Sequence, residues 1–178
     1  MSSEHPESAM VRGAPELRRI VLMRHAKSSW DSSAESDHAR PLNERGRRDA
    51  PRIARRLREL GWVPDLVVSS DAARTRETWE LMRAELGELP ARFTPALYLA
   101  GVDAARAVVA KLPSEVATAL LLGHNPGWER LAATYSGEEV PLGTANAILL
   151  SVHAATWSAA AGMDGAWSSA GVLRPREI

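Results

Sequence analysis

Three short apolar runs, each ending abruptly in polar residues, constrain the fold of this chain more than any other feature. Residues 20–23 stop at Arg24 and His25, residues 66–68 at Ser69 and Ser70, and residues 119–122 at Gly123 and His124. Compact apolar runs of this kind read as strands buried on both faces, and longer helical patterns separate them. The resulting β-α-β order requires crossover connections, so the expected fold class is α/β, with a mostly parallel central sheet covered on both faces.

Between the first two runs, Ile53, Leu57 and Leu60 lie at helical spacing, Arg52, Arg55, Arg56 and Arg58 are free for water, and Gly61 can close the helix. Pro51 leaves two starts open: a helix from near Asn43 kinked at the proline, or one restarting at Asp49 with Pro51 in its first turn. The pattern predicts a second helix over 73–86 stopped by Gly87, and a shorter one following Asp103 to about Leu112. Another is expected after Asn125 as cap and Pro126 as first residue. Residues 147–152 read as a further strand, and Val172 and Leu173 as an edge strand after the 162–165 loop. Neither a repeat nor a linker divides the 178 residues, so the expectation is one domain over 17–178 behind a polar tail, residues 1–16.

The 22 basic residues balance 22 acidic ones, so no global field favours nucleic acid or an anionic membrane, and anion recognition has to be local. The arginines of residues 45–58 are read as a solvated helix face, without the interleaved aromatics of a nucleic-acid surface. With no cysteine there are neither disulfides nor thiolate ligands, and no run approaches a membrane span. The tail carries Pro6, Gly13 and Pro15 and no apolar stretch of the signal-peptide kind, so the expected location is cytoplasmic.

In open α/β sheets ligands bind outside the carboxyl ends of the strands. Three strands here deliver polar segments to that position: Arg24 to Ser29, Ser69 to Thr78, and Gly123 to Pro126. Two histidines and two arginines can then converge. Guanidinium forks suit phosphate oxygens and neutralise a dianion without a metal. A neutral imidazole nitrogen is a competent nucleophile toward phosphorus, and a second histidine, if cationic, can hold an equatorial oxygen. Asn125, as a helix cap, would bring backbone N–H groups near the anion. Lys27 and Ser28 border the site by their place in the loop after His25. Trp30 could form a substrate wall, whereas Trp62, Trp79, Trp128, Trp157 and Trp167 are more simply packing residues.

These segments resemble the histidine phosphatase superfamily, also called phosphoglycerate mutase-like, and within it the small bacterial SixA-like phosphohistidine phosphatases. Arg24-His25-Ala26 matches its signature, Leu42, Gly46 and Ala50 its first-helix pattern, Ser69 to Thr78 the stretch carrying its second arginine, and Gly123-His124-Asn125 its second histidine motif. The resemblance implies a three-layer α/β/α sandwich with no metal and no organic cofactor. It also implies a phosphoryl group carried on His25 and surrounded by Arg24, Arg74 and His124.

One departure bears on substrate. Mutase-like and many phosphomonoesterase relatives carry a glutamate after the third strand that protonates the leaving oxygen; between Glu88 and Glu115 the only carboxylate here is Asp103, read as a helix cap. An alkoxide needs a positioned acid far more than an imidazole does. The expected substrate is therefore phosphohistidine in a protein. A small-molecule phosphomonoesterase, a mutase and a catalytically silent phosphate-binding module are the alternatives.

Overall fold

A computed structural model describes residues 14–31 and 33–178. The expected tail lies outside the described residues except at its end, where Glu16 already opens a strand: β1 spans Glu16–Arg24. The chain continues through α1 (Glu44–Glu59), β2 (Leu66–Ser70), α2 (Ala73–Leu86), β3 (Ala91–Thr94) and α3 (Val102–Val109). It then forms β4 (Thr118–Gly123), α4 (Gly127–Ser136), β5 (Ala147–Ala154), α5 (Trp157–Ala161) and β6 (Ser168–Leu173).

The six strands form one sheet in the order β3-β2-β4-β1-β5-β6. β3, β2, β4 and β1 are mutually parallel, β5 is antiparallel to β1, and β6 is antiparallel to β5. Only β5 is therefore reversed. Alternate residues of β1 enter opposite cores, which is why it reads as a continuous apolar run: Val21 and Met23 pack with Ile53, Leu57, Trp79 and Met82 of α1 and α2. Ile20 and Leu22 pack with Val109, Trp128, Leu131 and Trp157 of α3, α4 and α5 on the other face. This is the three-layer α/β/α arrangement. Fully burying a side chain such as Ile53 or Leu57 contributes about 1.5–3 kcal/mol.

Of the two starts left open for α1, the structure has the one at Asn43: the helix begins at Glu44, with the Asn43 side chain accepting from Gly46 N at 3.0 Å, and runs through Pro51. Two local expectations are corrected. Asn125 does not cap α4. Pro126 takes the cap position in a helical conformation, and the Asn125 amide instead donates to Leu142 O at 2.8 Å. Asp103 is not a cap either: α3 begins one residue before it, after Gly101. β3 is half-buried and at a sheet edge, so its four residues carry no apolar run to betray it.

Gly46 is needed for contact. A Cβ there would stand 2.2 Å from Lys27 O, the carbonyl that accepts from Asn43 N at 2.9 Å and ties the loop after β1 to the start of α1. Likewise a Cβ on Gly123 would meet the Trp128 ring at 2.5 Å, just before His124 leaves β4.

Candidate active site

Parallel pairing of β2, β4 and β1 brings their carboxyl ends side by side, with Arg24 opposite Gly123 in register. One hollow there is lined by Arg24, His25, Lys27, Ser28, Trp30, Asp37, Arg40, Arg74, Leu99, His124, Asn125 and Thr144. All seven residues singled out from the sequence therefore border the same space.

His25 and His124 face each other with ring centroids 5.2 Å apart. His25 Nδ1 lies 2.7 Å from Ala26 O. A carbonyl can only accept, so Nδ1 carries the proton and Nε2 holds a free lone pair. Burial pushes the His25 imidazole down from 6.5 to about 3, and the charges of Arg74, Arg24 and Arg40 add to it, against the opposing hydrogen bond to Ala26. The His25 ring is thus neutral at physiological pH.

His124 is buried and also neutral, lowered to about 3 by burial and then by His25 and Arg74, with Asp37 opposing. Its Nδ1 sits 3.2 Å from Arg74 Nη2 and its Nε2 2.9 Å from Ser70 Oγ. Arg74 must donate, so Nδ1 accepts and the Nε2–H points at Ser70. The cationic form envisaged from sequence is not the ligand-free form, and an arriving dianion has to supply the charge that favours it.

Arg74 is 3 % exposed and held from outside the three strand segments. Its Nη1 donates to Asp37 O at 2.6 Å and its Nη2 to Asp37 Oδ2 at 3.1 Å. Tyr98 donates to the same Oδ2 at 2.8 Å and packs edge-on to His124, while Arg40 donates to Oδ1 at 2.7 Å. Burial alone would raise the Asp37 pKa, but the hydrogen bonds from Tyr98 and Arg40 and the charge of Arg74 outweigh it and hold the carboxyl well below the usual carboxylate range.

Arg24 is anchored differently. Its Nη1 donates to Leu142 O at 3.0 Å, and Leu142 N donates to Glu129 Oε1 at 2.8 Å. Its Nε is buried without a partner among the described residues. Burial lowers the Arg24 pKa, with Glu129 opposing and Arg74 adding to the shift.

The three remaining sequence candidates differ. The Lys27 ammonium has no hydrogen-bond partner among the described residues and lines the pocket. Ser28 Oγ accepts from Arg40 Nη2 at 2.8 Å, so its hydroxyl anchors the loop. Asn125 spends its Nδ2 on Leu142 O and leaves Oδ1 buried and unpaired among the described residues. At the mouth, Trp30 and Leu99 are 75 % and 55 % exposed, and the Arg40 guanidinium lies 3.4 Å from the Trp30 ring centroid.

The sequence profile of the histidine phosphatase superfamily (branch 1) matches residues 20–98. An uncharacterized chloroplastic protein of Arabidopsis thaliana is 39% identical over 170 residues, spanning 89% of this chain and 78% of the relative. The structure of a SixA protein of Nakamurella multipartitia, described as a phosphohistidine phosphatase, superposes with a TM-score of 0.80 at 29% identity, covering 91% of this chain and 98% of that one. The chain belongs to the histidine phosphatase superfamily. A second SixA structure, from Agrobacterium tumefaciens, gives a TM-score of 0.75 at 28% identity over 89% and 98% of the two chains. Membership together with the likeness to the SixA structures identifies a phosphatase of the hydrolase class, acting on a phosphorylated substrate. No helix among the described residues is long and apolar enough to cross a membrane.

The sequence reading of this phosphatase missed Asp37, Arg40 and Tyr98. Asp37 and Arg40 lie in an irregular stretch with no periodicity, and Asp37 meets Arg74 across 37 positions. Tyr98 stands just past a single 3-10 turn, Pro95–Leu97. The retrievable signal was charge: a segment between a strand and a helix carrying Asp37, His38 and Arg40 has to pair them somewhere.

Proposed function

We propose that this phosphatase removes phosphate from phosphohistidine in a protein through a phosphoryl intermediate on His25. The carrying observation is that His25 Nε2 is unprotonated in a cation-lined pocket whose one lining carboxylate, Asp37, is held ionised. A carboxylate locked in that form cannot give a proton to a leaving group. Asp103, exposed on α3, does not line the pocket.

The Nε2 lone pair attacks phosphorus and the phosphorus–nitrogen bond of the substrate breaks, its electron pair leaving on an imidazole that needs little acid assistance. The guanidinium groups of Arg24 and Arg74 take the phosphoryl oxygens and meet the charge of the loose transition state. An oxygen close to Arg74 Nη2 and His124 Nδ1 would accept from both once the dianion has raised the pKa of His124 and the ring has taken up a proton from solvent. Lys27 and Asn125 border the same anion. Water then attacks the phosphoryl group, the bond to Nε2 breaks, and inorganic phosphate leaves with His25 regenerated. Exposed Trp30 and Leu99 at the mouth suit a protein surface bearing the phosphorylated side chain.

The test is rapid quenching after mixing with a phosphohistidine protein or phosphoramidate. The trapped phosphoenzyme should be acid-labile and base-stable, and His25→Ala should lose both label and turnover, on the order of 10⁴-fold or more. Full activity in that variant would remove His25 from the mechanism. Faster turnover of alkyl phosphates than of phosphohistidine would move the protein to the small-molecule phosphatases.

A further inference from the structure

Beside the catalytic hollow, toward β5 and β6, lies a second one of about 530 Å³. Arg24, Lys27 and Thr144 line both, so the two adjoin. Topology explains what gathers there. β6 runs parallel to β1, so the chain leaves β6 at the sheet end where β1 delivers His25, carrying Arg174 and Arg176 into place. Arg45 comes from the first turn of α1, which the Lys27 O to Asn43 N bond draws against the loop after β1.

Five cations thus line one hollow, against a single lining carboxylate, Glu177. On the outer face of α1 and α2, by contrast, arginines are matched: Arg47 pairs with Glu77 at 2.9 Å, and Arg55 and Arg58 with Glu85 at 2.7 and 3.4 Å. In the hollow, Arg174 reaches Glu177 at 3.3 Å and Arg45 reaches Asp49 at 3.4 Å, while among the described residues Lys27 and Arg176 have no carboxylate partner. A chain of zero net charge has concentrated unmatched positive charge next to its phosphoryl site.

We propose that this groove binds a second anionic patch on the substrate: carboxylate side chains flanking the phosphohistidine of the target protein. The inference rests on the reading that His25 receives the phosphoryl group of a protein phosphohistidine, and adds that the target sequence around it is acidic. Lys27 and Arg24, shared by both hollows, would sit between the phosphoryl group and the carboxylates. Charges at a solvent-open groove act mainly on encounter and discrimination, so the effect belongs in kcat/KM and depends on salt.

The experiment compares two phosphohistidine peptides that differ only in having aspartates or asparagines beside the phosphohistidine. The aspartate peptide should be favoured about tenfold in kcat/KM at low salt, the ratio shrinking toward one at about 1 M salt, where the Debye length is about 3 Å. The double variant Arg174→Gln, Arg176→Gln should bring the ratio close to one. Arg92→Gln, exposed on β3 at the opposite sheet edge, should leave it unchanged. Arg176→Glu should turn the preference toward a lysine-flanked peptide, a gain that a misfolded protein cannot show. Equal turnover of both peptides by the wild type, or a ratio that survives the double variant, overturns the proposal. If the folded protein hydrolyses an aryl phosphate but neither peptide, the phosphohistidine reading itself fails and takes this inference with it.

Discussion

Arg24 and Arg74 approach the same pair of imidazoles from opposite sides and are held in opposite ways. Arg74, on the β2 side, is locked by Asp37 through a carbonyl and a carboxylate, with Tyr98 and Arg40 fixing that carboxylate in turn. Arg24, on the β5 side, keeps one hydrogen bond to a carbonyl and a buried Nε with none. A buried unmatched donor is costly unless something satisfies it. On the proposed reading the two forks divide the work: Arg74 is preorganised with its charge already compensated, while Arg24 keeps donors to spare for a phosphoryl oxygen.

The largest expected effect comes from replacing either fork by a point charge. Arg24→Lys and Arg74→Lys should each cost about 10²–10³ in kcat/KM, because an ammonium cannot reproduce paired donors and the transition state is where their charge counts. The two should differ in character. Arg74→Lys leaves Asp37, Tyr98 and His124 without their common partner, so it should also lower the melting temperature, whereas Arg24→Lys should not. Equal melting temperatures for the two variants would erase the contrast drawn between the forks.

Asp37→Asn loosens the same lock from the carboxylate side, with a smaller effect. It removes the countercharge yet keeps the carbonyl that holds Arg74 Nη1, so turnover should fall about tenfold rather than vanish. Inorganic phosphate should lose affinity for that variant if orientation of Arg74 is the benefit of Asp37, and gain affinity if its negative charge was merely opposing the anion.

What the sequence made legible, and what it did not, follows the same division. His25, His124 and Arg24 stand at the ends of β1 and β4, and doubly buried strands write themselves as unbroken apolar runs. Arg74 follows β2 by the same rule. The lock on Arg74 was invisible because Asp37 and Tyr98 reach it only through tertiary contact, from irregular chain. Two helix starts failed for a local reason: Asn125 and Asp103 are good capping residues, but Asn125 is needed elsewhere and Asp103 sits two residues past the cap position. β3 and α5 were missed because a half-buried four-residue edge and a five-residue helix carry too little periodicity to stand out.

A third expectation concerns protonation on both sides at once. With His25 and His124 lowered to about 3, each should remain under about a tenth protonated at pH 5. In an NMR titration of the ligand-free protein their ring signals should therefore stay flat between pH 7.5 and 5, where an unperturbed imidazole would move through most of its range. Unfolding releases both rings to take up protons below about pH 6.5, so this pair lowers stability as pH falls toward 3. Added phosphate should bring the His124 titration back up, since the dianion favours its charged form. A ligand-free His124 signal with an ordinary midpoint would contradict the neutral tautomer read from its contacts with Arg74 and Ser70.

The smallest effect expected is at Asp103, and its smallness decides the substrate class. Asp103 lies in the first turn of α3, exposed, where a negative charge near the helix N-terminus contributes a few tenths of a kcal/mol up to about 1 kcal/mol of stability. Asp103→Asn should therefore shift the melting point slightly and change kcat by no more than about twofold, on phosphohistidine and on alkyl phosphate alike. A general acid replaced by its amide loses about a hundredfold or more, and the loss would be selective for the poorer, alkoxide leaving group. The paired measurement thus reads two different outcomes. A uniform near-unity ratio leaves the locked Asp37 as the nearest carboxylate, and leaving-group quality as the determinant of rate, so that aryl phosphates should outrun alkyl ones steeply. A hundredfold loss confined to alkyl phosphates would mean that α3 swings its first turn over the pocket during turnover, making the side of Tyr98 and Leu99, rather than the open Arg24 side, the place where the leaving group is handled.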